Sequence, residues 1–301
     1  MKNILVIYYS QTGQLKNILD SILSPFNKDE YNVDFQKIKP IIGYKFPWKE
    51  EDFFDIFPYS KAGISCNLKQ MKFDKPEKYD LIILGLQVWY LEASVPITSF
   101  LKSEYSKVLE GKNVITVYGV RNMWINANKS VKNLIHKAGG NIVGNIVLSD
   151  THNNLISVIT IAKWLISGKK KASKYLPPAG VTDDDIKNAK IFALPIQKAI
   201  EENNYNVLQN ELLKLNAIKV QYHIMKTEFA GSRIFDIWVS VITKKSKPNT
   251  KKRKRILKFF KFYLYFVLFV ISPISSVIFK LIRFIFRKKT QKEILKNTLL
   301  N

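Results

Sequence analysis

Cysteine, acidic residues and glycine-rich nucleotide motifs are scarce in this chain. Its 301 residues contain one cysteine, Cys66, so no disulfide can form within the chain, and a single thiol is typical of a reducing compartment. The sequence contains neither the G-x-G-x-x-G fingerprint nor the G-x-x-x-x-G-K-S/T loop. The first apolar run is too short for a signal peptide. These absences argue against a secreted disulfide scaffold and against two common nucleotide-binding loops.

The shortage of acids is concentrated near one end. The whole chain carries 48 Lys and Arg against 24 Asp and Glu, a formal net charge of +24. Segment 244–296 contributes +16 of this charge, with 17 basic residues and Glu293 as its single acid. The first 243 residues are therefore only mildly basic, and the question of what the charge binds concerns the C-terminal segment.

Five segments have the pattern of β-strands. Four are nearly unbroken apolar runs, typical of strands buried on both faces, and the fifth alternates apolar and polar residues. Helical periodicity or capping signals separate them. This alternation predicts an α/β fold with a doubly wound, parallel, five-stranded sheet. In chain order the predicted strands are 4–9, 31–38, 79–86, 114–118 and 142–148.

The predicted helices and additions set the domain boundaries. The aromatic stretch 40–72 reads as an insertion after the second strand that contains a short helix. We expect the α/β domain over 1–203, a helical or extended connector over 204–250 and a basic amphipathic tail over 251–301. The predicted helices are 14–23, 94–101, 126–138, an extra apolar helix at 153–167, 183–203 and 206–223.

A hydroxyl-rich turn joins the first strand to the first helix. It consists of Ser10, Gln11, Thr12, Gly13 and Gln14. Backbone N–H groups at a helix N-terminus, together with the helix dipole, favour an anion there, and two hydroxyls can donate to it. A neutral turn of this kind suits a phosphate monoester. The alternative is an ordinary strand-to-helix turn with a serine cap.

A second loop follows the third strand at the same edge of the sheet. It contains Gln87, Val88, Trp89 and Tyr90. Ligands of doubly wound sheets bind beyond the carboxyl ends of the strands. We therefore expect Trp89 or Tyr90 to stack on a flat ring, with core packing as the alternative.

A third loop follows the fourth strand. Its residues Gly119, Val120, Arg121, Asn122 and Trp124 are expected to approach the same ligand. Glycine permits close approach of the backbone, and a guanidinium can stabilise developing negative charge. The alternative for the arginine is a surface ion pair.

The phosphate turn resembles that of the flavodoxin family, a hydroxyl-rich S/T-x-T-G-N/Q motif. The resemblance covers residues 1–150 and the helix at 183–203. It implies the strand order 2-1-3-4-5 and FMN as the cofactor, with its phosphate at 10–14 and its ring between the two later loops. Gln87 departs from the related G-x-P-x-W-type segment, which has proline at that position.

A histidine and an aspartate follow the fifth strand. Asp150 and His152 lie at the predicted carboxyl edge of the sheet. Histidine exchanges protons near neutral pH, so these two residues and Arg121 are the candidate catalytic groups. A polar loop histidine without a role is the alternative. No metal site is expected.

Three segments resemble a narrower family, the flavodoxin-like proteins of dialkylresorcinol and flexirubin pigment biosynthesis in bacteria. They are Gly119–Trp124, Gly144–Asp150 with the following helix, and Pro177–Val181. That family has been called both a condensing enzyme and an aromatase. Condensation normally uses a nucleophilic cysteine near His or Asn, whereas Cys66 stands alone in the insertion. A flavin site favours aromatisation of a dialkyl-cyclohexanedione.

The tail combines a basic run with a long apolar stretch. Residues 251–255 are all Lys or Arg. The apolar stretch 262–279 contains no charged residue, and its helix is predicted to break at Ser272-Pro273. A basic amphipathic helix follows, with Lys280 and Arg283 on one face. Because both ends are basic, two interfacial helices or a shallow hairpin are favoured over a span.

These patterns predict a membrane-associated, FMN-dependent oxidoreductase of a lipid-like substrate. Its partners are an anionic lipid surface, contacted through 251–289, and no nucleic acid, since no nucleic-acid-binding motif accompanies the charge. The expected location is the cytoplasmic side of the inner membrane, peripheral or monotopic, and a homodimer remains open. The alternatives are the condensing enzyme, a quinone-linked flavoprotein similar to protoporphyrinogen oxidases, and an electron carrier.

Overall fold

A parallel sheet of five strands forms the centre of the molecule. The computed structural model describes residues 1–73, 75–298 and 300. The strand order is β2-β1-β3-β6-β7, and all neighbours are parallel; β4 and β5 form a separate antiparallel hairpin. This is the predicted 2-1-3-4-5 order of flavodoxin-like folds. The strands are β1 (Lys2–Tyr8), β2 (Tyr31–Lys37), β3 (Leu81–Leu86), β4 (Val88–Trp89), β5 (Glu92–Ala93), β6 (Asn113–Val120) and β7 (Asn141–Ser149).

Helices cover both faces of the sheet and continue into the C-terminal segment. Short 3-10 turns lie at 76–78, 104–109 and 189–192, and a π-helical segment at 267–271. The helices are α1 (Gln14–Leu23), α2 (Glu50–Asp55), α3 (Phe57–Lys61), α4 (Val95–Lys102), α5 (Ile125–Lys137), α6 (Asn154–Ser167), α7 (Asp183–Asn188), α8 (Ala193–Glu201), α9 (Leu208–Lys214), α10 (Tyr222–Lys245), α11 (Lys251–Phe266), α12 (Ser272–Ile285) and α13 (Arg287–Thr298).

The sheet has an apolar core on each face. Along β1, Ile4 and Val6 pack into one buried cluster with α1 and α8, whereas Leu5 and Ile7 pack into the other with α4 and α5. Successive side chains of a strand point to opposite faces, so a strand covered on both sides must be apolar throughout. The unbroken apolar runs are therefore explained by burial on both faces.

Two helix predictions differ from the structure. The predicted helix at 183–203 is divided by the 3-10 turn at 189–192 into α7 and α8. The prediction of one helix at 206–223 is wrong, because α9 ends at Lys214 and α10 begins at Tyr222. Asn216 between them has a φ of 58°, and the carbonyl of Ala217 accepts from Val147 N–H at 2.7 Å. The connector is thus tied to the end of β7 instead of continuing as a helix.

The tail forms one helical run where a break was predicted. Lys251–Ile285 is helical throughout and is long and apolar enough to cross a membrane, by length and composition. Pro273 does not interrupt it, because proline lies in the first turn of α12 and the π-helical segment before it changes the local hydrogen-bond spacing. Only 6% of its most apolar 18-residue window is buried.

The insertion is joined to the tail by ion pairs and stacked rings. Carboxylates of α2 pair with basic side chains of α11: Arg253 with Asp55 at 2.5 Å, Lys254 with Glu51 at 3.0 Å and Lys261 with Glu50 at 2.6 Å. Phe57 of α3 stacks on Phe260 of α11 with ring centroids 4.0 Å apart. The first part of the tail therefore packs on the α/β domain.

Candidate cofactor site

The turn between β1 and α1 leaves an unpaired hydroxyl at a helix N-terminus. Gly13 is the N-cap of α1 with a φ of 86°, which favours glycine, and no side chain caps this helix. Ser10 is buried, and its Oγ has no hydrogen-bond partner among the described residues. Leaving a buried hydroxyl unpaired costs about 1–3 kcal/mol. An acceptor such as a phosphate oxygen would satisfy both the hydroxyl and the uncapped N–H groups.

The two glutamines of this turn position the walls of the site. Gln11 Nε2 donates to the carbonyls of residues 44–45, each at 3.3 Å, and its Oε1 accepts from Trp48 Nε1 at 3.0 Å. Gln14 Oε1 accepts from the N–H of Val181 at 3.0 Å. Their amide groups are therefore engaged by the protein, which leaves the hydroxyls and backbone N–H groups of the turn for an anion.

A cavity of about 250 Å³ lies beside this turn. Three predicted loops meet in it: the turn after β1, the loop after β3 and the loop after β6. The sequence missed the part of the lining that comes from the insertion, from α6 and from the turn at 177–181. The predicted lining residues are Gln11, Thr12, Gln14, Gln87, Val88, Trp89, Tyr90, Gly119, Val120 and Arg121, and the additional ones are Trp48, Phe53, Ile56, Ile161, Trp164, Leu165 and Gly180.

The hairpin of β4 and β5 carries the aromatic wall of the cavity. Trp89 contacts Tyr44 and Trp48 edge-on, with ring centroids 5.1 and 5.5 Å apart. Tyr90 and Leu91 at the tip have φ values of 49° and 66°, a strained arrangement for residues other than glycine. The Tyr90 hydroxyl donates to the carbonyl of Phe53 at 2.6 Å. Trp89 is thus the better placed of the two for stacking on a ring.

Gly119 allows β6 to pack closely on α1. A Cβ at this position would come within 2.9 Å of Ile18 Cδ1 and 3.5 Å of Leu15 Cδ1, both in α1. A larger residue would therefore require these terminal methyl groups to shift.

Arg121 brings a positive charge to the cavity without a carboxylate partner at hydrogen-bond distance. Its Nη1 donates to Oδ1 of Asn154 at 2.8 Å, a neutral partner. Burial lowers the pKa of Arg121 to about 10, against opposing effects from Asp150 and Glu228. The guanidinium stays charged at neutral pH, and it is the one charged side chain among the described residues lining this cavity.

Four predicted residues face a different cavity. Asn122, Trp124, Asp150 and His152 line a neighbouring space of about 420 Å³ between the sheet edge, α10 and α12. Trp124 is in the core, because α5 begins directly after it. Asn122 Nδ2 donates to Oδ1 of Asn154 at 2.9 Å, the same atom that Arg121 contacts. Asn154 thus stands in the wall between the two cavities, and the structure does not bring these four residues to the candidate cofactor site.

Asp150 and His152 are joined by hydrogen bonds in that second cavity. Asp150 accepts from His152 Nδ1 at 2.7 Å, from the His152 backbone N–H at 2.9 Å and from Ser157 Oγ at 2.7 Å. No group of three or more His, Cys, Asp or Glu side chains suited to a metal occurs within the part of the chain that the structure describes. The contacts of Asp150 account for its burial without a ligand.

A buried glutamate in α10 caps the helix that follows the third loop. Glu228 accepts from the backbone N–H groups of Trp124 at 3.1 Å and Asn126 at 2.7 Å, at the start of α5. Burial raises its pKa to about 7, partly offset by these hydrogen bonds. The sequence showed no sign of this role, since the pairing spans about a hundred residues.

Similarity to known proteins is found among solved structures. The sequence matches no protein-family model and no curated protein. Among solved structures, a flavoprotein from Bacteroides eggerthii is 18% identical over 56% of this chain and 100% of its own, with a TM-score of 0.40. A flavoprotein in complex with FMN from Lactobacillus acidophilus is 22% identical over 49% of this chain and 93% of its own, with a TM-score of 0.38. A flavodoxin from the domain Archaea is 14% identical over 66% and 99%, with a TM-score of 0.36.

Proposed function

We propose that this chain is an FMN-dependent oxidoreductase. The observation that carries the proposal is the unpaired Ser10 hydroxyl at the uncapped N-terminus of α1, beside a cavity at the switch point between β1 and β3. A phosphate monoester fits this turn, and a flat electron-poor ring fits the wall formed by Trp89. Bound FMN supplies a two-electron acceptor for dehydrogenation.

The protein's own residues would orient this cofactor and stabilise its charge. Ser10, Thr12 and the first N–H groups of α1 hold the phosphate. Gln11 and Gln14 fix the insertion and the turn at 177–181 around it. Arg121 would provide positive charge in the same cavity, because no carboxylate neutralises it by direct contact.

The absorbance spectrum of the purified protein tests the central proposal. We expect flavin bands near the usual positions after reconstitution with FMN and removal of free ligand. A Gly13→Val variant is a matched control, since a branched residue at a φ of 86° distorts the turn that binds phosphate. A wild-type protein that retains no flavin would refute the proposal.

We further propose that the enzyme aromatises a dialkyl-cyclohexanedione to a dialkylresorcinol. The apolar part of the cavity, with Phe53, Ile56, Ile161 and Leu165, supports an amphiphilic substrate. Anaerobic addition of the dione is expected to bleach the bound flavin, whereas a porphyrinogen is not. Bleaching by the porphyrinogen alone would favour the quinone-linked alternative, and bleaching by neither would favour an electron carrier.

The condensing reaction has its own test. Cys66 does not line the cofactor cavity, and its Sγ accepts from Ser99 Oγ at 3.4 Å. We expect Cys66→Ala to keep full activity in dione oxidation. A complete loss of product formation from acyl precursors in that variant would support the condensing role instead.

We also propose that the tail attaches the enzyme to the cytoplasmic face of a membrane. Val277, Leu281 and Phe284 are exposed on α12, with Phe284 85% exposed. Deleting the tail would uncover Phe57, so substitution is the cleaner test. Full-length protein should float with anionic vesicles, and the triple change to serine should strongly reduce flotation. Equal flotation of both would contradict membrane attachment through α12.

A further inference from the structure

Helix α6 is apolar on two opposite sides. Its inner side contributes Ile161, Trp164 and Leu165 to the wall of the cofactor cavity. Its outer side exposes Ile156, Ile159 and Ile166, which are 38%, 40% and 44% accessible. The spacing of three and seven residues places these isoleucines on one stripe of the helix. A surface helix normally presents polar residues opposite its buried side, so this exposed stripe needs a partner.

Basic side chains lie on the stripe and beyond its C-terminal end. Lys163 lies on the same face between the isoleucines, and Lys169, Lys171 and Lys174 follow the end of the helix at Gly168. None of these four has a salt-bridge partner among residues 1–73, 75–298 and 300. Tyr175 beside them is 82% exposed. Aliphatic residues flanked by lysines and a tyrosine are typical of helices lying in a membrane interface.

The stripe is also close to the start of the apolar surface of the tail. Nδ2 of Asn154, the first residue of α6, donates to Oγ of Ser272, the first residue of α12, at 3.3 Å. From there α12 exposes Ile274, Val277 and Ile278. Two exposed apolar surfaces therefore begin at one point of the molecule.

We propose that α6 is a second membrane-contacting element, whose outer stripe inserts into the headgroup boundary of a bilayer containing acidic phospholipids. The inference rests on the proposed membrane attachment and adds where the α/β domain sits on the bilayer. It places the wall of the cofactor cavity against the lipid. An amphiphilic substrate could then reach the cavity along α6 without crossing water.

Environment-sensitive labels at single positions test this inference in the full-length chain. In a Cys66→Ser background, a nitrobenzoxadiazole label is attached at Ile159→Cys, at Phe284→Cys in α12, and at Leu194→Cys in α8 as the matched exposed apolar control. Each protein is mixed with phosphatidylglycerol–phosphatidylcholine vesicles or with phosphatidylcholine vesicles alone. We expect the labels at 159 and 284 to brighten several-fold and shift to the blue with the anionic vesicles, and the label at 194 to stay unchanged.

The three labels separate the ways in which the inference can fail. A silent label at 159 beside an inserted label at 284 would overturn the role of α6 and leave the tail proposal standing. Silence at both would overturn membrane contact altogether, while the flavin spectrum reports on the cofactor independently. Brightening at 159 without vesicles, rising with protein concentration, would show that a second copy covers the stripe and would also overturn the inference.

A variant without labels gives a second readout. Ile156→Ser, Ile159→Ser and Ile166→Ser together should weaken the partitioning of the protein onto anionic vesicles by about tenfold or more, since inserted apolar area drives interfacial binding. The same change at Ile191, Leu194 and Val207, which are also exposed, should leave partitioning unchanged. Equal effects of both triple variants would contradict a specific role for α6.

Discussion

The two cavities at the carboxyl edge of the sheet share a wall but differ in how their polar groups are satisfied. In the cofactor cavity and its adjoining turn, Ser10 Oγ and Gln87 Oε1 are buried without partners. In the second cavity, the carboxylates of Asp150 and Glu228 each accept at least two hydrogen bonds from the protein. Asn122 Oδ1, also in the lining of that second cavity, is buried without a partner as well, so the difference concerns the carboxylates.

On the proposed function, this difference separates the neutral groups of a ligand site from hydrogen-bonded structural carboxylates. A buried polar atom without a partner destabilises the empty protein, so such an atom is expected where a ligand supplies the missing contact. The unpaired Ser10 hydroxyl is therefore a stronger indication of a ligand than the hydrogen-bonded carboxylates of Asp150 and Glu228.

The largest expected effect on stability comes from a substitution in the second cavity. Glu228→Ala removes the acceptor for two buried N–H groups at the start of α5, so we expect the free energy of unfolding to fall by about 3 kcal/mol. Urea denaturation measures this. Glu211→Ala, which removes an exposed ion pair with Lys214, should change stability by less than about 1 kcal/mol. Equal losses of stability in the two variants would show that the buried cap contributes no more than an exposed ion pair.

The same glutamate should make stability depend on pH. Burial raises its pKa from 4.5 to about 7 in the folded state, so the folded protein binds more protons than the unfolded chain between these values. The stabilisation is complete below pH 4.5 and is lost as the pH rises through 7, by about 3 kcal/mol at most. Denaturation at pH 5 and pH 8 should show this decline in the wild type and a smaller one in Glu228→Gln. A parallel decline in both proteins would assign it to other groups.

Two serines provide a crossed comparison of the cavities. Ser10→Ala removes an unpaired hydroxyl, so we expect FMN affinity to fall about tenfold while the stability of the FMN-free protein holds or rises. Ser157→Ala removes a satisfied hydrogen bond to Asp150, so stability should fall by about 1 kcal/mol with FMN affinity unchanged. Fluorescence titration and thermal unfolding measure the two quantities. A loss of stability in Ser10→Ala, or a loss of FMN affinity in Ser157→Ala, would contradict the assignment of FMN to the first cavity.

A smaller effect is expected on the flavin itself. Arg121→Met removes the one charged side chain described in the cavity lining, so the reduction potential of bound FMN should become more negative by roughly 40 mV. Lys163→Met removes a charge from the outer side of α6 and serves as the control. Spectroelectrochemical titration gives both values. Identical potentials in the two variants would mean that Arg121 does not act on the ring.

The sheet could be predicted from the sequence because its signals are local. Each buried strand is an apolar run that ends at the carboxyl edge of the sheet, so the sequence placed the loops at 87–90 and 119–121 at that edge. Trp48 and Gly180 were missed because they reach the site from an insertion and a distant turn, whose placement depends on contacts with Gln11 and Gln14. No local pattern encodes such pairings.

The placement of four predicted residues in the neighbouring cavity has an equally specific cause. Asn122 and Trp124 lie one to three residues beyond Arg121, but the chain enters α5 there and turns their side chains away. Asp150 and His152 do lie at the carboxyl edge, yet Asn154 stands between them and the cofactor cavity. Position along a strand predicted the edge of the sheet and could not resolve two neighbouring cavities on it.

On the proposed membrane attachment, the ion pairs between α2 and α11 would make the insertion a competitor of the bilayer for the basic residues of α11. Glu50, Glu51 and Asp55 already pair with three cations of α11. Acidic headgroups that bound these cations would have to displace the carboxylates of α2, which also carries Phe53 in the cavity wall. The proposed membrane contact and access to the cavity would then be linked through the insertion.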